Sequence, residues 1–130
     1  MIRMLDTDSV SFALRGEGRV AERIRAQLPS QIAVSSITAA ELWFGVERRR
    51  SDRLRRLVGT FLDAVSVRAF DATAAQHYGR LAASLRGSGR PIGIADTMIA
   101  AHALAGGFVL VTHNATHFHR IRGLRIEDWY

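Results

Sequence analysis

Short, mostly apolar runs punctuate this chain, and between them apolar residues recur at helical spacing. The runs are Ile2–Leu5, Ile32–Val34, Val65–Phe70, Phe108–Val111 and Leu124–Ile126. Phe108–Val111 is continuous, the pattern of a strand covered on both faces. Between the runs, Ser9–Leu14 reads as a helix broken by Gly16 and Gly18. Val20, Ile24 and Leu28 predict a second helix over Arg19–Leu28, ended by Pro29. A third begins near Thr38, and a fourth covers about Asp52–Ala64 with Leu54, Leu57, Val58, Phe61 and Leu62 inward. Asp71 is the expected N-cap of a long helix to about Leu85, followed by the loop Gly87–Pro91. In the next helix Ile92, Asp96, Ile99 and Ala103 share one stripe, and Gly106-Gly107 ends it. Strands alternating with helices predict an α/β fold: a three-layer α/β/α sandwich around a mainly parallel sheet, in a single domain over residues 1–130.

Composition narrows the chemistry. There is no cysteine, which removes disulfides and thiolate metal sites. No apolar run approaches the roughly 18 residues of a membrane span, and the N-terminus lacks a signal-peptide layout, so a soluble cytoplasmic protein is expected. The net charge is +6, and all 18 basic residues are arginine. Guanidinium forks suit phosphate, which makes nucleic acid a plausible partner. The missing lysine rules out a Walker A phosphate loop.

The acids supply candidate chemistry. Asp96 stands among apolar neighbours, where an unpaired charge is expensive. Asp6 ends the first strand and Glu41 lies early in a helix. In a parallel sheet all three can converge at the carboxyl edge, where ligands bind. With a polar group after the Val109 strand they would make an oxygen-only pocket suited to Mg²⁺ or Mn²⁺. Each acid also has a structural explanation. Asp6 and Asp8 can cap the helix that follows, Thr38-Ala39-Ala40-Glu41 matches a capping box, and Asp96 can cap a Thr97–Ala105 helix.

Four segments, in order and spanning nearly the whole chain, carry a family resemblance. They are M-L-D-T-D at Met4–Asp8, S-S-I-T-A-A-E-L-W-F-G-V at Ser35–Val46, P-I-G-I-A-D-T-M-I-A-A-H-A at Pro91–Ala103, and V-T-H-N-A-T-H-F-H-R-I-R-G-L-R-I-E-D-W at Val111–Trp129. The chain resembles the PIN-domain family, specifically the VapC-type toxin ribonucleases of toxin–antitoxin pairs. The resemblance implies a Mg²⁺- or Mn²⁺-dependent endoribonuclease with Asp6, Glu41 and Asp96 as metal-holding catalytic acids. It further implies a VapB-type antitoxin lying over the cleft and a homodimer. Asp8 stands where the family often has Asn, and Asn114 (or His113) where a fourth acid often follows the penultimate strand. Asn114, Thr112 and Asp8 are therefore expected to support one well-held ion, with a second dependent on substrate.

The remaining features offer alternatives. Arg48–Arg56 is a dense basic run, and Arg49, Arg53 and Arg56 share one helical face if the helix continues through Ser51. That face would hold RNA phosphates, with a structured loop such as that of a tRNA as substrate. It could equally be covered by an antitoxin or be a solvated face. Trp43 and Phe44 are expected at a dimer or antitoxin interface. His113, His117 and His119 suggest zinc only weakly, with no fourth ligand of matching type. Asp6-x-Asp8 also looks like the nucleophile motif of haloacid-dehalogenase-type phosphatases, whose chemistry normally needs a lysine. The non-enzymatic alternative is an Arg-rich RNA-binding module whose acids are only caps.

Overall fold

A computed structural model describes residues 1–130. Five strands form one sheet: β1 (Arg3–Leu5), β2 (Ile32–Ser35), β3 (Ser66–Arg68), β4 (Val109–Val111) and β5 (Ile126–Glu127). Their order is β3-β2-β1-β4-β5, and all four pairings are parallel. β1 is central, with Leu5 in register with Val111 and Met4 with Ala33.

Strand alternation explains why the runs are apolar on both faces. Leu5, Ile32, Val34 and Val111 point into one core with Val10, Val46 and Val58, under α1 (Thr7–Arg15), α2 (Val20–Arg25), α3 (Ser36–Arg49) and α4 (Asp52–Ala64). Met4 and Leu110 point the other way, against Ile99, Ala100 and Ala103. Those three belong to α6 (Ile94–Gly106), which packs against α5 (Ala72–Gly87). This is the expected three-layer α/β/α arrangement. No helix is long and apolar enough to cross a membrane.

Several expected boundaries move. α1 starts at Thr7 because Asp6 caps it. α2 stops at Arg25, so Leu28 lies outside it and is 64% exposed, before a 3₁₀ turn at Pro29–Gln31. α3 starts at Ser36, capped by Ser35, which displaces the Thr38 capping box. Arg50 adopts a left-handed conformation (φ 50°) and Ser51 caps α4, so the two helices are separate and the arginine face continuous through Ser51 does not form. α4 runs from Asp52 to Ala64 and Asp71 caps α5, both as the spacing predicts. Gly107 (φ 68°) ends α6, a conformation that costs glycine nothing. A four-residue helix, α7 (Ala115–Phe118), follows β4, anchored by fully buried Phe118.

Candidate functional site

The carboxyl ends of β1 and β4 place two polar residues side by side. Asp6 follows β1, and its backbone N–H donates to Val111 O at 3.0 Å. Its side chain is nearly buried, at 4% exposure. Oδ1 accepts from Ser9 N at 2.8 Å, so Asp6 does cap α1. Thr112, just past β4, donates its hydroxyl to the same carboxylate and accepts from Asn114 N at 3.0 Å. Capping and a place in the cleft are thus compatible roles for one carboxylate. Burial raises the Asp6 pKa, the Thr112 and Ser9 hydrogen bonds oppose the rise, and Asp8 adds to it.

Glu41 reaches the same cleft from the second turn of α3. Its carboxylate accepts from the Thr7 hydroxyl, which also lies 3.2 Å from Thr38 Oγ1. One hydroxyl carries one proton, so Thr7 donates to Glu41 and accepts from Thr38. Thr38 is fully buried and three residues before Glu41, hence on the same helix face. By sequence alone Thr7 has no role of its own and Thr38 has none in the cleft. Their spacing to Asp6 and Glu41 was visible, but the capping-box match assigned Thr38 elsewhere.

Asp96 occupies the third position of α6, not its cap. Gly93 is the cap residue, without a side-chain bond. The Asp96 pKa is raised, first by burial and then by repulsion from Asp6, Asp8 and Glu41, while His117 lowers it. Three other carboxylates therefore act on Asp96 across this cleft, with one imidazole opposing them. No three Asp, Glu or His side chains stand at distances that would ligate a single ion together. The donors are all oxygen, which suits a hard divalent cation, and their mutual repulsion is the kind such a cation offsets. Thr7 holds one oxygen of the Glu41 carboxylate, which leaves the other free to face an ion.

The other candidates divide. Asn114 does not point its amide at the acids. Its Nδ2 meets His117 Nδ1 at 2.8 Å and its Oδ1 accepts from Thr116 at 3.3 Å, tying it to α7. His113 pairs with Asp128 at 2.9 Å and His119 with Ala115 O, so the three histidines go to separate partners and form no zinc cluster. Arg49 and Arg53 still line one cleft, with Arg15, Leu14 and Leu57, but Arg56 does not join them. Arg55 is tied to Glu47 at 2.9 Å. A groove floored by Leu42, Leu54 and Val58 leads from Thr7 and Glu41 to Arg48 and Arg49. Phe44, 68% exposed, stands at its mouth beside Glu41. Trp43 is 38% exposed and rests near Gly59 of α4.

Comparison with known proteins places this geometry. The PIN domain profile matches residues 3–124. A tRNA(fMet)-specific endonuclease VapC of Shigella flexneri is 38% identical over 128 residues, 97% of this chain and 96% of that protein. Ribonuclease VapC1 of Haemophilus influenzae (strain R2866) is 36% identical over 132 residues, covering 99% and 98%. Among solved structures, a chain of DNA-bound VapBC from Salmonella typhimurium superposes with a TM-score of 0.91 at 38% identity, covering 100% of this chain and 99% of that one. VapBC2 from Rickettsia felis, bound to a promoter DNA fragment, gives 0.91 at 33% identity with both chains fully covered.

Proposed function

Because the chain belongs to the PIN-domain family, as a VapC toxin endoribonuclease, we propose that Asp6, Glu41 and Asp96 together hold the Mg²⁺ or Mn²⁺ on which its hydrolysis of RNA depends. The observation that carries the proposal is the position of half-buried Asp96 under the combined repulsion of Asp6, Asp8 and Glu41. A bound divalent cation supplies a nucleophile at neutral pH and offsets phosphate charge. The chain's own residues do the rest. Asp6 is fixed by Ser9 N and Thr112, so it is the preorganised donor. Asp96 is aided by the N-terminal end of α6, which favours negative charge. Glu41 offers the carboxylate oxygen that Thr7 leaves free. Asp8 lends charge from the rim, and Asn114, engaged with α7, supports that segment beside Asp96 and adds no charge of its own.

The substrate in this reading is an RNA of the tRNA(fMet) class, the one in the name of the Shigella relative. Its phosphates are held by Arg48, Arg49 and Arg53 along the rim of the groove. The antitoxin is an amphipathic VapB-type segment laid on Leu42, Leu54 and Val58, with acidic residues against Arg15 and Arg48 and an apolar contact on Phe44. Trp43 leans towards its own α4, so Phe44 is the stronger anchor of the two. Phe44→Ser should weaken capture of the co-expressed antitoxin, and unchanged capture would remove this groove as its site. The toxin is also proposed to form a homodimer, which sedimentation of the isolated chain tests directly.

The metal assignment is tested without catalysis. Mn²⁺ binding, followed by electron paramagnetic resonance, should weaken by about tenfold or more in Asp6→Asn, Glu41→Gln and Asp96→Asn, the loss of one charged ligand each. Wild-type affinity in any one of them removes that residue from the ligand set.

A further inference from the structure

On the face covered by α5 and α6, beside the edge strand β3, lies a second cleft lined by Arg68, Asp71, Thr73, His102 and Phe108. None of these residues contributes to the acid cleft. His102 is 5% exposed, and its Nδ1 lies 2.8 Å from Ser35 Oγ. That hydroxyl already accepts from Ile37 N at 3.1 Å, and its single proton has no other acceptor. It therefore donates to Nδ1, which puts the imidazole proton on Nε2. Nε2 has no hydrogen-bond partner within the protein, and His102 lines the cleft. Burial lowers the His102 pKa, opposed by Asp71 and assisted by Arg68, so the ring is a neutral donor at physiological pH.

The other groups are each anchored as well, although Arg68 is only partly buried and Asp71 is exposed. Arg68 donates from Nε to Ser66 Oγ at 3.0 Å, and its guanidinium lies 5.3 Å from the Phe108 ring centroid. The Phe108 ring rests so closely on Gly106 that a Cβ there would come within 2.3 Å of it. Asp71 uses Oδ1 to cap α5, accepting from Ala74 N at 3.0 Å, and Oδ2 remains open. Phe70 stands edge-on to His102 at 5.6 Å. Arg68 and Asp71 line the same cleft without forming an ion pair with each other. Two donors and one acceptor, each anchored by a bond of its own, thus line one partly aromatic cavity, the layout of a ligand site.

The ligand must match both signs. A bare anion would meet the Asp71 carboxylate, and a bare cation would meet Arg68 and the His102 N–H. We propose that this cleft binds a guanine base of the RNA, with Asp71 accepting from the base N1–H and 2-amino groups while Arg68 and His102 donate to its O6 and N7. Adenine, cytosine and uracil do not offer a carboxylate two adjacent N–H donors together with that acceptor edge. Proteins that read RNA by sequence take splayed bases in this manner, by edge hydrogen bonds and by stacking on aromatic or guanidinium planes. The cleft would thus select one nucleotide at a distance from the bond that is cut.

The test is binding alone, in EDTA, so its outcome is separable from that of the metal assignment. The whole chain is titrated with guanosine, adenosine, cytidine and uridine 5′-monophosphates and with inorganic phosphate, by calorimetry. Guanosine monophosphate should bind about tenfold or more tighter than the others, the discrimination of a good bidentate base contact. Asp71→Asn should abolish that preference with α5 intact, since Asn caps helices as well as Asp. His102→Gln should weaken guanosine binding, and Asp96→Asn should leave it unchanged. Equal binding of all four nucleotides and phosphate, no binding of guanosine monophosphate, or an undiminished preference in Asp71→Asn would overturn the proposal.

Discussion

Asp6 carries two loads, and two substitutions separate them. Asp6→Ala removes the acceptor of Ser9 N and the partner of the Thr112 hydroxyl, both in a nearly solvent-free position. Loss of an N-cap costs about 1 kcal/mol, and a buried hydroxyl left without its partner costs about 1 kcal/mol more. For a chain this long, an unfolding entropy of about 0.27 kcal/mol per kelvin turns 2 kcal/mol into a Tm drop of about 7 °C. Asp6→Asn keeps the cap. It also removes a charge whose folded-state pKa is raised by burial and by Asp8. A carboxyl with a raised pKa favours folding below its unfolded pKa, and that contribution is lost as pH rises through the folded value. At pH 7 the Asn variant should therefore melt at or above the wild-type temperature. Mn²⁺ at a hundredfold excess over the wild-type Kd should raise the wild-type Tm by about 10 °C, corresponding to about 2.7 kcal/mol, and should raise either variant's by no more than about half as much, the shift left by a tenfold loss of affinity. The assay is a thermal melt of the three proteins in EDTA and in Mn²⁺. An Asn variant as unstable as Ala would refute the cap reasoning, and an undiminished Mn²⁺ shift in Asp6→Asn would refute the ligand reasoning.

Three other expectations follow from named contacts. Thr7→Val frees Glu41 from its hydroxyl partner, so Mn²⁺ affinity should change severalfold while Thr7→Ser behaves as wild type; equal affinities in all three would show that Thr7 does not position Glu41. Replacing Arg49 and Arg53 by Gln should weaken binding of catalytically dead protein to all RNAs alike and lower the salt slope by roughly two, whereas Arg55→Gln, already paired with Glu47, should do little; an unchanged slope in the double variant returns these arginines to a solvated surface. His102 is held neutral by burial, so its contribution to stability is present above its ordinary pKa of 6.5 and is lost as pH falls through the lowered folded value; denaturant unfolding of His102→Gln should lose that acid-side slope, and a slope identical to wild type would contradict it.

The layers were legible because parallel strands buried on both faces must be apolar throughout. Phe108–Val111 and Ile32–Val34 announced β4 and β2 for that reason. α4 was legible because Leu54, Leu57, Val58, Phe61 and Leu62 fall on one face, although the cap that Ser51 supplies was not. Local rules failed where tertiary contacts supplied the partner. Thr38 and Glu41 satisfied a capping pattern, yet Glu41 found Thr7 across the sheet edge. α7 is too short to show a period, and only the burial of Phe118 holds it. The break at Arg50 depends on a non-glycine residue taking a left-handed conformation, which no motif signals. The candidate acids were nameable from the sequence because each sits at a strand end or within the first two turns of a helix. Their mutual repulsion was not, since it depends on how deeply Asp6 and Asp96 are buried.

The central claim is that this PIN-domain ribonuclease cuts RNA through a divalent ion held by its acid cleft. The most direct measurement is single-turnover cleavage of end-labelled tRNA(fMet) by antitoxin-free protein, wild type and Asp96→Asn, in EDTA and across a Mn²⁺ series. The account predicts discrete cleavage by wild type only when Mn²⁺ or Mg²⁺ is present, and none by Asp96→Asn at any concentration although it binds the RNA. Cleavage in EDTA, or full cleavage by Asp96→Asn, would contradict it.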